Sequence, residues 1–149
     1  MARLNYSRLN DALLAGAMPH AAEHVRSLDR EGVRHVVNLC EEREYWEGER
    51  AIVLAAYDAA GIVEHHMPVK DGATVPAAVI DAAVVVSDGG AVYVHCRGGR
   101  ERSATVAAAL LSASEGISID RALRRSQELR PTFRPLPWQV DALRAWATG

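Results

Sequence analysis

The segment from residue 91 to residue 114 restricts the possible fold more than any other part of this sequence. Its first five residues, AVYVH, have the β-branched and aromatic composition of a strand. A seven-residue loop follows, and the sequence SATVAAALLSAS (103–114) then predicts a helix that is apolar almost all the way round. Such a helix has to be buried, so a strand that leads into it favours a sheet covered by helices.

Strands and helices alternate along the rest of the chain. Strands are predicted at 33–39, 62–67 and 91–95, and helices at 21–32, 48–60, 76–87, 103–114, 119–129 and 137–146. This alternation is typical of an α/β fold with a central, mostly parallel sheet flanked by helices. The 149 residues contain no linker, repeat or low-complexity tract, so a single domain over residues 1–149 is expected.

The composition is that of an ordinary globular protein, with 49% hydrophobic and 24% charged residues. A net charge of −2 argues against a nucleic-acid partner, which would require a broad basic surface. No apolar run approaches the roughly 18 residues of a transmembrane segment. The apolar stretch 12–18 is too short and too close to Asn10 and Asp11 to favour a signal peptide.

Two cysteines are too few for a secreted disulfide scaffold, so we expect the protein in a reducing cytoplasm. We also expect a monomer. Lys70 is the one lysine among 17 basic residues, and alanine is abundant. This bias indicates a GC-rich, bacterial genome rather than a function.

The loop between the third predicted strand and the apolar helix, HCRGGRERS (95–103), has the features of an anion site. Gly98 and Gly99 allow the backbone to bend so that several N–H groups point inward. The helix that begins near Ser103 adds its positive N-terminal end. Arg102 is placed to hold two oxygens of a phosphate with its guanidinium group.

Cys96 lies at the base of this loop, where the field that attracts phosphate also stabilises a thiolate nucleophile. The pattern His-Cys-x5-Arg-Ser, with Gly99 inside it, resembles the signature of the cysteine-dependent protein tyrosine and dual-specificity phosphatases. The resemblance extends over about residues 14–146 and is strongest to the compact dual-specificity branch. It implies that branch's fold, a mostly parallel sheet flanked by helices.

The resemblance also implies a role for each residue of the signature. Cys96 would form a phosphocysteine, Arg102 would bind the phosphoryl group, Ser103 would help the thiolate to leave, and His95 would orient the cysteine. The other residues of the loop would surround the substrate phosphate; they are Arg97, Gly98, Gly99, Arg100 and Glu101.

A general acid is needed to protonate the leaving group, and the resembling family takes an aspartate from a loop before the signature strand. Asp71, in the loop 68–75, is the good candidate, although Asp-Gly is also a common turn pair. Gln139 lies where some relatives have a water-positioning glutamine, the alternative being an exposed helix residue. The family signature supplies its own cation, and the histidines show no ligand spacing, so no cofactor and no metal are expected.

The sequence leaves the substrate open. The loop 38–45 resembles that of phosphoinositide phosphatases, and the run 92–96 together with residues 102–105 is similar to phosphatidylglycerophosphate phosphatases. Both relatives carry basic residues at the positions of Arg97 and Arg100, which suits a polyanionic head group. A phosphorylated protein is the first expectation and a phosphorylated lipid, inositol or other small molecule the alternative. A catalytically silent phosphate-binding module and a sulfurtransferase are further alternatives. The presence of Cys96, Arg102 and Asp71 together argues against both.

Cys40 is a candidate redox partner of Cys96, because each cysteine follows a predicted strand of the same sheet. If those strands are neighbours, they lie about 4.8 Å apart, within the range that a disulfide requires. The resembling phosphoinositide phosphatases have a cysteine in the same Asn-Leu-Cys context. The alternative is that Cys40 is a small buried apolar residue.

Overall fold

A computed structural model describes residues 3–149; residues 1 and 2 of the expected domain lie outside the described residues. One five-stranded sheet has the order β1-β2-β5-β3-β4, in which β1 and β2 are antiparallel and every other pair is parallel. The strands are β1 (Tyr6–Asn10), β2 (Leu13–Gly16), β3 (His35–Asn38), β4 (Val63–His66) and β5 (Val92–His95). The predicted mostly parallel α/β sheet is confirmed.

Within residues 3–149, six helices surround the sheet, and a 3-10 turn at Glu42–Glu44 follows β3. The helices are α1 (Ala22–Arg30), α2 (Glu49–Ala60), α3 (Ala77–Ser87), α4 (Arg102–Glu115), α5 (Ile119–Leu129) and α6 (Pro137–Thr148). Each of them was predicted, with ends that differ by at most two residues, as is usual for helix termini.

The hairpin of β1 and β2 is the element that the sequence analysis missed. Only Leu9 is buried in β1, whose composition is otherwise polar, whereas all four residues of the short β2 are buried. The strand β2 pairs with β1 on one side and with β5 on the other. Neither strand has a strong local pattern, because β1 is stabilised by pairing with β2, and β2 by pairing with both β1 and β5, rather than by local propensity.

The core lies on both faces of the sheet. On one face, Leu14, Val36 and Tyr93 pack against α1 and α2. On the other, Ala15, Val37 and Val94 pack against a larger cluster contributed by α3, α4, α5 and α6. The ten residues 102–111 of α4 are all buried, as its apolar composition predicts.

The loops that follow β3, β4 and β5 converge at the carboxyl edge of the sheet. The N–H of Leu39 donates to the carbonyl of His95 at 3.0 Å, and that of Val69 donates to the carbonyl of Leu39 at 3.0 Å. Ligands of parallel α/β sheets bind at this edge. Within residues 3–149, none of the helices combines the length and the apolar character needed to cross a bilayer.

Candidate active site

The phosphate loop, residues 96–102, connects β5 to α4. Gly99 has φ +67°, and a Cβ atom there would lie 2.4 Å from the backbone carbon of Gly16, so glycine is required on both counts. The N–H of Met18 donates to the carbonyl of Arg97 at 3.0 Å and holds the loop against the end of β2. Within residues 3–149, the N–H groups of 97–101 donate to no backbone carbonyl, which leaves them available to an anion.

Cys96 is 2% exposed at the start of this loop, with its Sγ atom 3.3 Å from the Oγ atom of Ser103. The preceding residue, His95, is fully buried, and burial lowers the pKa of its imidazole to about 4. The ring is therefore neutral at pH 7, and its Nδ1–H donates to the carbonyl of Cys96 at 3.1 Å. This hydrogen bond joins the buried His95 ring to the backbone of Cys96.

Arg102 extends from the first turn of α4 into the site and is 1% exposed. Its two terminal nitrogens donate to the two carboxylate oxygens of Glu44 at 2.7 and 2.8 Å. One of these nitrogens also donates to the carbonyl of Val69 at 2.9 Å. The Nε atom is buried and has no partner among residues 3–149, so it remains as a donor for an anionic ligand.

Glu44, the carboxylate partner of Arg102, is a residue of this site that the sequence analysis did not single out. It ends the 3-10 turn after β3, where its carboxylate also accepts a hydrogen bond from the N–H of Glu41 at 2.6 Å. Burial has the largest single effect and by itself would lower the pKa of the Arg102 guanidinium, but the hydrogen bonds to Glu44 and the charges of nearby acidic groups together raise that pKa above its ordinary value. A buried arginine requires a carboxylate partner, and this requirement is the one signal in the sequence that could have pointed to Glu44.

The structure brings Asp71 to the same site. Its side chain is 73% exposed, and its Oδ1 atom lies 3.7 Å from a terminal nitrogen of Arg102. Its position after β4 and beside the phosphate loop is the one expected of an acid that acts on a bound phosphate.

The loop around Asp71 is held by side chains from two other elements. Glu101, expected to contact the substrate phosphate, instead accepts a hydrogen bond from the N–H of Gly72 at 2.8 Å. From α6, the indole N–H of Trp138 donates to the carbonyl of Gly72 at 2.8 Å, and the amide of Gln139 donates to the carbonyl of Ala73 at 3.0 Å.

The interpretation of Gln139 as an exposed helix residue is wrong, because its side chain is fully buried. Its Oε1 atom accepts a hydrogen bond from the N–H of Leu136 at 2.9 Å, while its amide group holds the Asp71 loop. A polar residue on a covering helix is usually exposed, and here the loop carbonyl supplies a partner that makes burial possible.

Two arginines within the phosphate loop, Arg97 and Arg100, are exposed, and Arg97 donates a hydrogen bond to the carbonyl of Glu44. A third arginine, Arg130, lies buried behind the loop and donates from Nε to the carbonyl of Gly99 at 3.0 Å. Burial lowers the pKa of Arg130 below the ordinary value of arginine. The sequence analysis missed Arg130, which comes 31 residues after the glycine that it contacts.

Cys40 is fully buried, and its Sγ atom lies 3.8 Å from the Nδ1 atom of His95. The strands that precede Cys40 and Cys96, β3 and β5, are direct neighbours with Asn38 opposite His95, as the disulfide hypothesis requires. Burial, followed by the negative charge of Glu44, raises the pKa of the Cys40 thiol.

No group of three or more His, Cys, Asp or Glu side chains is arranged to hold a metal in the part of the chain from residue 3 onward. The structure also places two histidines together that the sequence did not indicate as a pair, His35 on β3 and His65 on β4. Their Nδ1 and Nε2 atoms lie 3.1 Å apart.

Comparison with known proteins finds phosphatases along nearly the whole chain. A family model described as the Swiss Army Knife protein, DSP-PTPase phosphatase domain, matches residues 8–141. Human phosphatidylglycerophosphatase and protein-tyrosine phosphatase 1 is 31% identical, over 93% of this chain and 71% of that protein. Mouse dual specificity phosphatase 28 is 33% identical, over 87% of this chain and 76% of that protein.

The crystal structure of PTPMT1 in complex with PI(5)P has the same fold, with a TM-score of 0.84 and 28% sequence identity. The match covers 96% of this chain and 94% of that chain. The resemblance inferred from the sequence signature is therefore confirmed. The chain belongs to the DSP-PTPase family and is a cysteine-dependent phosphatase domain of the dual-specificity type.

Proposed function

We propose that this phosphatase hydrolyses phosphomonoesters in two steps, with Cys96 as the nucleophile. The buried guanidinium of Arg102, whose Nε atom has no partner among residues 3–149, is the observation that carries this proposal. Positively charged donors that are already in place stabilise the charge on a transferring phosphoryl group. Glu44 holds Arg102 in position through two hydrogen bonds and so preserves this arrangement between turnovers.

In the first step, the Cys96 thiolate forms an S–P bond while the P–O bond to the leaving group breaks. Asp71 donates a proton to the departing oxygen. In the second step, water attacks phosphorus, Asp71 accepts a proton from that water, and the S–P bond breaks to release phosphate. The hydroxyl of Ser103, 3.3 Å from the sulfur, stabilises the departing thiolate by a hydrogen bond.

A phosphorylated protein is the substrate class that we propose first, with phosphotyrosine and phosphoserine or phosphothreonine as the groups hydrolysed. The relative named dual specificity phosphatase 28 and the dual-specificity family model support this class.

A lipid or inositol phosphate is the second candidate, and exposed basic residues on the phosphate loop favour it. Arg97 and Arg100 are both exposed on the phosphate loop, where they would attract a second anionic group on the substrate. A relative named phosphatidylglycerophosphatase and the PTPMT1 structure in complex with PI(5)P support this class. Glu101, in the same loop, offsets part of the positive charge.

We further propose that residues 1–149 act as a single catalytic domain, as a monomer in a bacterial cytoplasm. The two cysteines of the chain are too few for a secreted disulfide scaffold, which supports a reducing compartment. Size-exclusion chromatography with light scattering of the purified chain tests the monomer, and a dimer would contradict it.

The deciding experiment is turnover of a phosphate panel by the wild type and three variants. The panel contains phosphotyrosine and phosphoserine peptides, phosphoinositides and phosphatidylglycerophosphate. Cys96→Ser should abolish turnover but still bind phosphate, because the loop and Arg102 remain, whereas Arg102→Ala should lose both. Asp71→Asn should lower turnover by about 10²–10⁴-fold on substrates with poor leaving groups.

Two controls accompany the panel. Activity should persist in EDTA, because Arg102 supplies the cation that other phosphatases take from metal ions. Turnover by Cys96→Ser, or complete loss in EDTA, would contradict the mechanism. The substrate with the highest kcat/KM decides between the protein and lipid classes.

A further inference from the structure

Glu101 makes a contact that the two-step mechanism does not use. Its Oε1 atom accepts a hydrogen bond from the N–H of Gly72 at 2.8 Å. Glu101 is the residue before Arg102, and Gly72 is the residue after Asp71. One side chain therefore connects the phosphate loop directly to the loop that carries the proposed acid.

The carboxylate of Asp71 depends on its backbone for its position. It is 73% exposed, and its distance to the nearest Arg102 nitrogen, 3.7 Å, is too long for a hydrogen bond. Gly72 has φ +79°, and the N–H of Ala73 donates to the carbonyl of Lys70 at 3.0 Å, so Asp71 lies in a tight turn. The orientation of this turn determines where the carboxylate points.

Two side chains hold the Gly72 residue from opposite sides. The Glu101 carboxylate binds its N–H, and the Trp138 indole binds its carbonyl at 2.8 Å. A charged acceptor makes a stronger hydrogen bond than a neutral one, so Glu101 provides the stronger of the two contacts. The negative charge of Glu101 would repel a phosphate dianion, so this side chain is unsuited to substrate binding. Its hydrogen bond to Gly72 indicates a different role.

We propose that Glu101 is a positioning residue for the general acid, holding the Asp71 turn over the phosphate loop. The proposal rests on the proposed function, because it takes Asp71 as the acid. It predicts that loss of Glu101 impairs leaving-group protonation specifically, while attack by the cysteine is largely preserved.

The test compares kcat on two aryl phosphates that differ in their need for an acid. Phenyl phosphate has a poor leaving group that requires protonation, and 4-nitrophenyl phosphate has a good one that does not. Glu101→Ala should lower kcat about tenfold on phenyl phosphate, the usual worth of a charged hydrogen bond, and by less than about twofold on 4-nitrophenyl phosphate. Glu101→Gln should retain most of the activity, because its amide oxygen accepts the same hydrogen bond.

Glu128→Ala, an exposed residue on α5, is the matched control and should leave both substrates unaffected. Trp138→Phe removes the indole donor and should show the pattern of Glu101→Ala with a smaller loss. Equal losses by Glu101→Ala on both substrates would show a general structural role and overturn the proposal.

The same substitution in the Asp71→Asn background separates this proposal from the proposed function. If Glu101 acts through Asp71, Glu101→Ala should cause no further loss on phenyl phosphate in that background. A full additional loss would overturn the proposal and leave Asp71 as the acid. If Asp71→Asn alone retains wild-type kcat on phenyl phosphate, the acid assignment itself is wrong, and the role of Glu101 is wrong with it.

Discussion

The burial of His95 makes the stability of this protein sensitive to mild acid. The pKa of this imidazole is about 4 in the folded protein and 6.5 as its ordinary value, so the unfolded chain binds the proton more tightly. The contribution of the neutral His95 ring to the free energy of unfolding is fully present above pH 6.5 and is lost as the pH falls towards 4. The difference between the two pKa values corresponds to about 3 kcal/mol of the free energy of unfolding, of which about 2 kcal/mol should be lost between pH 7.5 and pH 5.

Urea unfolding at a series of pH values, followed by circular dichroism, measures this loss. Above pH 5 the carboxylates remain largely ionised in both states, so the slope in this window reports mainly on histidines. His95→Asn retains a side-chain N–H for the carbonyl of Cys96 but does not titrate, and its free energy of unfolding should depend much less on pH. His65, whose pKa burial also lowers, accounts for a smaller remaining slope. Equal slopes for wild type and His95→Asn would refute the reasoning.

Three further substitutions test the structure around the phosphate loop. Gly99→Ala should lower the free energy of unfolding by about 1–3 kcal/mol, measured in urea, because its Cβ would overlap the β2 backbone at 2.4 Å; an unchanged midpoint would contradict this packing. Glu44→Ala leaves the buried charge of Arg102 without its carboxylate and should cost about 3 kcal/mol, with weaker phosphate binding by calorimetry; unaltered binding would mean that Glu44 does not position the arginine. After treatment with mild peroxide, mass spectrometry should find a Cys40–Cys96 disulfide. Dithiothreitol should then restore activity in the wild type but not in Cys40→Ser. Equal recovery of activity by both proteins would refute a protective disulfide.

Local signals in the sequence were sufficient for the elements that depend on local interactions. The helix predicted at 119–129 has these same ends in the structure, and Ser118 caps it by accepting a hydrogen bond from the N–H of Arg121. The apolar helix after the phosphate loop is buried as predicted, because no polar face exists to meet water. The signature from His95 to Ser103 likewise predicted the site, since a loop between a buried strand and a helix N-terminus forms an anion site from contiguous residues.

Only the tertiary structure determined the groups that support this site from a distance. Glu44 contacts an arginine 58 residues later in the chain, and Gln139 contacts a carbonyl 66 residues before it. The β1–β2 hairpin likewise depends on β5, which comes more than 70 residues later. No periodicity or spacing marks such contacts, because each residue has an ordinary local environment and acquires its partner only when the loops meet at the edge of the sheet. The segment from His95 to Ser103 therefore contains the candidate nucleophile and its anion site, whereas the positions of Asp71 and of the supporting groups depend on how the whole chain packs around that segment.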